Sequence, residues 1–519
     1  MAKDKQLHHF VSWARNHALS IDPRANADDL QDLRQIRDMV GNARIVGLGE
    51  SQHYVAEFNR FRSRLFKYLV AEMGFTTFVF ECDVVEGNCA YEYVLGLHDR
   101  SDDAFLSLGS IFGLWSQIQE LLHWMREFNK RCPDGQKLRF YGMDGSQSWS
   151  CTENSVAFAC DYLSRVDPKH AEMVRDELLP LAASVKLENL TSTSSEDVRE
   201  LVCGLTALVA KFQVEQIHYI QSSTWEQFDW AHRSAVIARQ IGTMLSAVHN
   251  APDQAQRIWW NIRDACMATN LKWIIDREGS NSRLLVGAHN IHLQNAFGGE
   301  TDFEQTSMGQ LLSSSLPQGE MLMIAGTNYF SLKPEDPAVE GSFQWALAQL
   351  DLPSFVLDLR TATEEQPVAE WLDEVRADRT NIMYQPIAVS QAWDAVFYTQ
   401  RVTLDGLSLP APLRRSIMLL DQNRLHGLVG TYDVDGVVGQ PVVLHVYERE
   451  GSLISNGAES DGELFPMHEA RLSALSDSRF CWSDWPMELE FERDLHGIAQ
   501  GLRICSPDGH SMYYGIRRP

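Results

Sequence analysis

Positive charge is scarce in this 519-residue chain, in which 45 Lys and Arg stand against 70 Asp and Glu and the net charge is −25. Nucleic acids and anionic membrane surfaces attract clusters of Lys and Arg, so neither is an expected partner. No stretch approaches the roughly 18 apolar residues of a membrane span. The N-terminal segment has the pattern of an amphipathic helix and not of a signal peptide. We therefore expect a soluble, cytoplasmic protein.

Paired cysteines are also missing. The nine cysteines are odd in number and scattered, and no two form a C-x-x-C pair of the kind that binds zinc or exchanges disulfides. Such cysteines are typical of free thiols in a reducing compartment.

Three common motifs of nucleotide binding and nucleophilic catalysis are absent. The GLG at 47–49 begins like a dinucleotide-binding loop, but Gln52 occupies the position of the third glycine. No serine lies in a G-x-S-x-G elbow, and there is no Walker A sequence. These absences disfavour a nucleotide-dependent oxidoreductase, a conventional serine hydrolase and a P-loop enzyme, and we expect no cofactor.

Short apolar runs that end in a small or polar residue recur along the first two thirds of the chain, with helical patterns between them. They occur at 43–50, 76–81, 137–144, 282–289 and 320–327. Alternation of strands and helices is typical of an α/β fold with a mainly parallel sheet flanked by helices.

The chain is longer than a single hydrophobic core usually supports, so several structural units are expected. We predict an α/β catalytic domain over 1–404, with a helical insertion at about 150–275 that either covers the mouth of the sheet or packs on its flank. A linker at 405–425 leads to an antiparallel, barrel-like β domain over 426–519, with turns at Asn456–Gly457 and Asp508–Gly509.

Ionisable residues follow the predicted strands at their carboxyl ends, where α/β sheets bind ligands. They are Glu50, Glu81, Asp144 and His289. Arg62 falls on the inward face of the helix predicted at 55–73 and therefore needs a carboxylate partner. Its neighbours Arg60, Arg64 and Lys67 are expected to stay solvated.

Several kinds of chemistry fit these residues. His53, oriented by Glu50 or Glu81, could accept a proton from water as a general base. His289 and His292 form an H-x-x-H pair that could bind a metal with Glu50, His53 and Glu81, or could polarise a substrate carbonyl. Arg263 could hold a carboxylate or stabilise an oxyanion. A metal-dependent hydrolase or lyase, and a non-catalytic small-molecule-binding or biosynthetic accessory protein, remain open alternatives.

The segments GLGESQHYVAEFNRFRSRL, GFTTFVFE, IRDACMATNLKW and LLVGAHNIHLQN resemble the motifs of the erythromycin esterase family. The resemblance spans roughly residues 30–400 and implies metal-independent hydrolysis of an ester or lactone in a macrolide- or polyketide-like molecule, with no covalent intermediate. It implies His53 as the base, with Glu50, Arg62 and Glu81 organising it. His289 and His292 would contact or polarise the ester, and Arg263 would support the carboxylates.

We also predict that His292, Tyr54, Asp144 and Asn290 contribute to substrate binding. The sequence departs from the family pattern at Ser51, Gln52 and Tyr54, where macrolide esterases usually carry small residues, Thr and Gly, and a tyrosine beside the base narrows the site. The segments HGLVGTYDV, GELFP and LEFERDLHGIAQGL are similar to small lipocalin-like β domains.

Overall fold

The apolar runs predicted as strands lie side by side in one eight-stranded sheet of a computed structural model. The structure describes residues 2–145, 150–296, 305–332, 336–380, 383–418, 420, 422–434, 442–457, 469–506 and 511–518. The strands up to residue 399 are β1 (Leu19–Ser20), β2 (Ile45–Glu50), β3 (Thr77–Asp83), β4 (Arg139–Asp144), β5 (Leu284–His289), β6 (Met321–Asn328), β7 (Ser354–Asp358), the separate hairpin β8 (Arg376–Thr380) and β9 (Met383–Ile387), and β10 (Ala395–Thr399).

The sheet has the order β1-β7-β10-β6-β2-β5-β3-β4 and is parallel except at β7, which pairs antiparallel with β1 and β10. The predicted α/β fold class is confirmed. β2 and β5 are buried along their whole length in the centre, as expected for strands covered on both faces. Their register places Glu50 directly opposite His289, so both side chains emerge at the same edge.

Long helices cover both faces of the sheet. They are α1 (Ala2–His17), α2 (Ala56–Met73), α3 (Asn88–Leu95), α4 (Ser116–Asn129), α5 (Glu153–Val166), α6 (Ser195–Val214), α7 (Trp225–Asn250), α8 (Ala255–Glu278) and α9 (Gln366–Asp373). Helices α5 to α8 occupy most of the segment between β4 and β5. α8 packs against β4, where the Asn270 side chain donates to the Met143 carbonyl at 2.7 Å. No helix among the described residues is long and apolar enough to cross a membrane.

The expectation that Arg64 and Lys67 stay solvated is wrong. Arg64 is fully buried and Lys67 nearly so. Arg64 donates to the Asp29 carbonyl and pairs with Asp32, and Lys67 pairs with Asp28 at 2.8 Å. The polar segment ahead of β2 lies over the outer face of α2 and supplies these carboxylates, a contact that helical periodicity cannot reveal.

The C-terminal part of the chain is a closed antiparallel β-barrel. Its strands are β11 (Gly430–Val434), β12 (Val442–Arg449), β13 (Ser452–Asn456), β14 (Ala470–Ala474), β15 (Arg479–Trp482), β16 (Glu488–Arg493), β17 (Ala499–Cys505) and β18 (Ser511–Arg517). Side chains such as Tyr432, Trp482 and Phe491 are buried in its core. The predicted turn at Asp508–Gly509 and the GELFP segment lie outside the described residues.

Candidate active site

The turn after β2 carries His53 next to a buried ion pair. His53 Nδ1 lies 2.7 Å from Glu50 Oε1, and the other oxygen of Glu50 accepts from Arg62 at 2.7 Å. The side chain of His53 is 13% exposed, whereas those of Glu50 and Arg62 are 2% and 0% exposed. The sequence-predicted trio is therefore brought together, with the histidine facing outward from the pair.

Arg62 reaches Glu50 through space that a glycine leaves open. A Cβ on Gly287 of β5 would lie 2.7 Å from Arg62 Nε, so a larger residue there would displace the guanidinium. Phe80 lies beneath the guanidinium, 5.2 Å from its carbon. Asn59 Oδ1 accepts from Arg62 at 2.7 Å. These contacts fix the arginine that balances Glu50.

Glu50 is strongly acidic in this setting. Burial alone would raise its pKa, but the charge of Arg62 and the contact with His53 outweigh burial and lower that pKa to about 2. Glu50 is therefore ionised at neutral pH. Because Nδ1–H of His53 donates to this carboxylate, the neutral ring carries its proton-accepting electron pair on Nε2.

Glu81, at the end of β3, joins the second half of the site. One of its oxygens accepts from the His289 amide at 2.6 Å, and the other lies 3.2 Å from both Arg263 and His292. Burial opposes ionisation, but His292, followed by His53 and Arg263, holds the pKa of Glu81 well below its ordinary 4.5. Glu81 is thus a fixed negative charge that connects β3, β5 and α8.

His292 is held between two carboxylates. Its Nδ1 lies 2.9 Å from Asp264 and its Nε2 lies 3.2 Å from Glu81. Burial by itself would lower the pKa of His292, but Asp264 and Glu81 raise it to about 9. The ring is 1% exposed and is protonated at neutral pH. Asp264 was not predicted as a site residue, although it directly follows Arg263.

His289 is neutral and forms hydrogen bonds with backbone groups through both ring nitrogens. Its Nδ1 accepts from the Ile291 amide at 3.3 Å, so its Nε2 carries the proton and donates to the Ser51 carbonyl at 3.1 Å. Burial, followed by the nearby His53, lowers the pKa of His289 to about 4. The rings of His289 and His53 are 5.0 Å apart. His289 therefore supports the turn that carries His53.

Arg263 lies at the other end of the cluster. It donates to Asp144 at 2.6 Å and to Glu81 at 3.2 Å, and the rings of Trp259 and Trp260 lie 5.1 and 5.7 Å from its guanidinium carbon. Burial is overcome by Asp144 and then Glu81, which raise the pKa of Arg263 above its usual range. Its side chain is 14% exposed, which makes it, with His53, a member of the cluster that solvent reaches.

Two residues assigned to substrate binding make other contacts. The side chain of Asn290 donates to the Gly326 carbonyl at 2.9 Å and accepts from its amide at 3.1 Å. The Tyr54 ring packs against Trp115 at 4.9 Å and against Trp485 of the barrel domain at 5.1 Å. Substrate binding by Asn290 and Tyr54 stays a prediction.

The cluster carries an excess of negative charge. Within the described part of the chain, it contains four carboxylates and three cations. The carboxylates are Glu50, Glu81, Asp144 and Asp264, and the cations are Arg62, Arg263 and His292. Over the same described residues, no three His, Cys, Asp or Glu side chains are grouped so as to hold a metal ion.

Fold and site together define an α/β protein with a histidine, carboxylate and arginine cluster at the carboxyl edge of its sheet, which is suited to proton transfer. The chain belongs to the erythromycin esterase family, whose sequence profile matches residues 70–402. That match includes Glu81, Arg263, His289 and His292 and begins after Glu50, His53 and Arg62. Family membership indicates a hydrolase that acts on a small molecule.

Individual relatives are distant. The chain is 24% identical to the erythromycin esterase type II of Escherichia coli over 337 residues, which cover 62% of this chain and 76% of that protein. A protein of known structure from Bacillus cereus is similar in fold, with a TM-score of 0.64, 23% identity and coverage of 77% of this chain and 98% of its own. A mutant of the erythromycin esterase EreC in its open conformation gives a TM-score of 0.59 at 19% identity, covering 75% of this chain and 98% of its own.

Proposed function

We propose that the protein hydrolyses an ester or lactone in a macrolide- or polyketide-like molecule, with His53 activating water and no covalent intermediate. The observation that carries this proposal is the contact of 2.7 Å between His53 and Glu50, whose pKa is lowered to about 2. An ionised carboxylate at Nδ1 orients the ring and stabilises its protonated form. Partial exposure lets substrate and water reach the same ring.

In the proposed reaction one proton is transferred twice, first from water to His53 and then from His53 to the leaving group. His53 Nε2 takes a proton from water as the water oxygen forms a bond to the carbonyl carbon. The tetrahedral intermediate then collapses, the bond from carbon to the alcohol oxygen breaks, and His53 returns the proton to the leaving alkoxide. Glu50 remains ionised throughout and stabilises the imidazolium between the two transfers.

Arg263 is the proposed partner of the oxyanion. It is the more exposed of the two site arginines, and its orientation is fixed by Asp144 and by the flanking tryptophans. A preorganised cation at the site of developing charge lowers the barrier without reorganisation at the moment of reaction. Arg62, fully buried, acts on Glu50 instead.

Support for the substrate class comes from the relatives, which include proteins named as erythromycin esterases. Apolar surface near the reacting groups is consistent with a large, partly apolar substrate. Phe112 lies 5.4 Å from the His53 ring, and Trp259 and Trp260 flank Arg263. The same surface would bind a polyketide lactone.

Incubation of the full chain with macrolides, simple lactones and aryl esters tests this proposal. We expect at least one macrolide or polyketide lactone to be opened, with activity retained after dialysis against a chelator. A single turnover in ¹⁸O-water should place the label in the product acid and none in the protein. Label in Glu50 or Glu81, an acyl-enzyme detected by mass spectrometry, or no turnover across the panel would overturn it.

A further inference from the structure

The segment that leaves β10 for the barrel is fastened to the two helices that border the His53 turn. The Ala56 amide, at the start of α2, donates to the Thr403 carbonyl at 2.9 Å, and the Ser116 amide, at the start of α4, donates to the Gly406 carbonyl at 2.8 Å. Between them, the Asp405 amide donates to the Tyr54 carbonyl at 2.7 Å. The segment thus contacts the residue that follows His53.

The side chain of Asp405 makes further hydrogen bonds in the protein interior. It is 4% exposed. One oxygen accepts from the Gly406 amide at 2.7 Å and from the Ser116 hydroxyl at 3.2 Å, and the other accepts from Asn59 Nδ2 at 2.9 Å. A buried carboxylate with these donors is held in one orientation.

Asn59 links Asp405 to Arg62. Arg62 is only a donor, so the amide oxygen of Asn59 must face it and the amide nitrogen must face Asp405. The two contacts measure 2.7 and 2.9 Å. Arg62 contacts Glu50, and Glu50 contacts His53, each at 2.7 Å. A continuous series of hydrogen bonds therefore runs from the interdomain segment to His53.

We propose that Asp405 is a positioning residue for His53, acting through Asn59, Arg62 and Glu50. Asp405 fixes the direction of the Asn59 amide, and that amide gives Arg62 a second acceptor besides Glu50. With Arg62 anchored on both sides, Glu50 presents its other oxygen to His53. The proposal rests on the proposed function, in which His53 is the base.

The barrel domain contributes to the same support. Tyr54 adopts φ of +66°, which is costly for a bulky residue and persists only where surrounding contacts hold it. Here the ring lies between Trp115 and Trp485, and both tryptophans are buried. The turn that carries His53 is therefore held in two ways. The Asp405 amide donates to the Tyr54 carbonyl, and Trp485 of the barrel packs against the Tyr54 ring.

The substitution Asp405→Asn breaks the series of hydrogen bonds with little change in side-chain size. If the new amide keeps its oxygen toward Gly406 and Ser116, its nitrogen faces the nitrogen of Asn59, and two donors meet. If the Asn59 amide turns over, its nitrogen faces Arg62 instead, and two donors meet at that contact. The double variant Asp405→Asn with Asn59→Asp exchanges the amide and the carboxylate, so a donor again faces an acceptor at both contacts.

Glu57→Gln is a matched control. Glu57 is buried on α2, like Asn59, and holds the same interdomain segment through Thr403. Its carboxylate accepts hydrogen bonds from the Thr403 amide at 2.8 Å and from the Thr403 hydroxyl at 2.9 Å. Those contacts do not involve Asn59 or Arg62. A defect that follows only from loosening the segment would appear in Glu57→Gln as well.

The test measures kcat, KM and the NMR titration of the His53 ring in the full chain, with the His53 signals assigned by their loss in His53→Gln. We expect Asp405→Asn to lower kcat by roughly 10- to 100-fold, with KM changed less than about threefold, and to lower the pKa of His53. Glu57→Gln should match the wild type within about twofold, and the double variant should recover to within about threefold.

An Asp405→Asn variant with wild-type kcat and an unchanged His53 titration would overturn the proposal. Equal losses in Glu57→Gln, or a double variant as slow as Asp405→Asn, would do the same. Should Asp405→Asn fail to fold, Asn59→Ser breaks the series at the next contact and is judged by the same criteria. If the wild type opens no ester, the proposed function fails, while the titrations, which need no substrate, still decide the positioning role.

Discussion

Two histidines in this site, His53 and His292, both contact carboxylates but have different surroundings. His53 contacts Glu50 through one nitrogen and is 13% exposed, whereas His292 contacts Asp264 and Glu81 through both nitrogens and is 1% exposed. The pKa of His292 is raised to about 9. A ring with both nitrogens bound to buried carboxylates holds its proton, whereas His53 contacts Glu50 through Nδ1 and is exposed enough for substrate and water to reach its ring.

The difference between the two histidines separates the residues proposed to catalyse the reaction from those that hold the cluster together. The half built on β2 and α2 contains the proposed base and its acidic partner. The half built on β3, β5 and α8 holds charge in place and presents Arg263. Loss of a residue in the first half should therefore cost activity, and so should loss of Arg263, whereas loss of another residue in the second half should cost stability first.

The largest effect is expected at His53. His53→Gln should lower kcat/KM about 10³-fold, because general base catalysis by a positioned side chain contributes that order of rate. The melting temperature should stay within about 2 °C of the wild type, since the side chain is partly exposed and the amide of glutamine can still donate to Glu50. Steady-state kinetics and thermal unfolding check this. Activity within tenfold of the wild type would remove His53 from the mechanism.

At His292 the free energy of unfolding should fall instead. His292→Gln removes the cation between Asp264 and Glu81, and an unbalanced buried charge costs about 3 kcal/mol or more. Urea unfolding measures the loss, with His53→Gln as the comparison. A loss no greater than that of His53→Gln would show that the two histidines are not distinguished in the way their contacts indicate.

An effect no larger than that of His292→Gln is expected from alkaline pH. The pKa of His292 is about 9 in the folded protein, above the ordinary 6.5 of histidine, so its bridge contributes fully below pH 6.5 and is lost as the pH rises through about 9. Unfolding free energy should fall over this range by on the order of 3 kcal/mol. The fall should disappear in His292→Gln. The same slope in that variant would assign it to another group.

Much of the site could be predicted because its residues lie at the ends of strands. Apolar runs locate β2, β3, β4, β5 and β6, and parallel strands bring their carboxyl ends together. β7 and β10 were not predicted, although they extend the sheet beyond β6. Their runs, SFVLD and AVFYT, are short, and short apolar runs do not distinguish a strand from a buried helix segment.

Contacts between distant segments could not be predicted. Asp264 neighbours Arg263 on α8, but only the folded chain shows that it meets His292 and the Met308 amide. Asp405 and Asn59 are 346 positions apart, and the local pattern around Asp405 indicates only a loose connection. Such residues carry no local signal, because their importance comes from a partner brought near by the sheet.

The different proton chemistry of the two histidines is most directly tested by NMR titration of the ring nitrogens of His53 and His292 in the full chain. We predict that His53 titrates with the pKa that governs the acid limb of kcat/KM, while His292 remains protonated until the pH approaches about 9. A His53 pKa unrelated to the kinetic limb, or a His292 ring that loses its proton near pH 6.5, would contradict this assignment of roles.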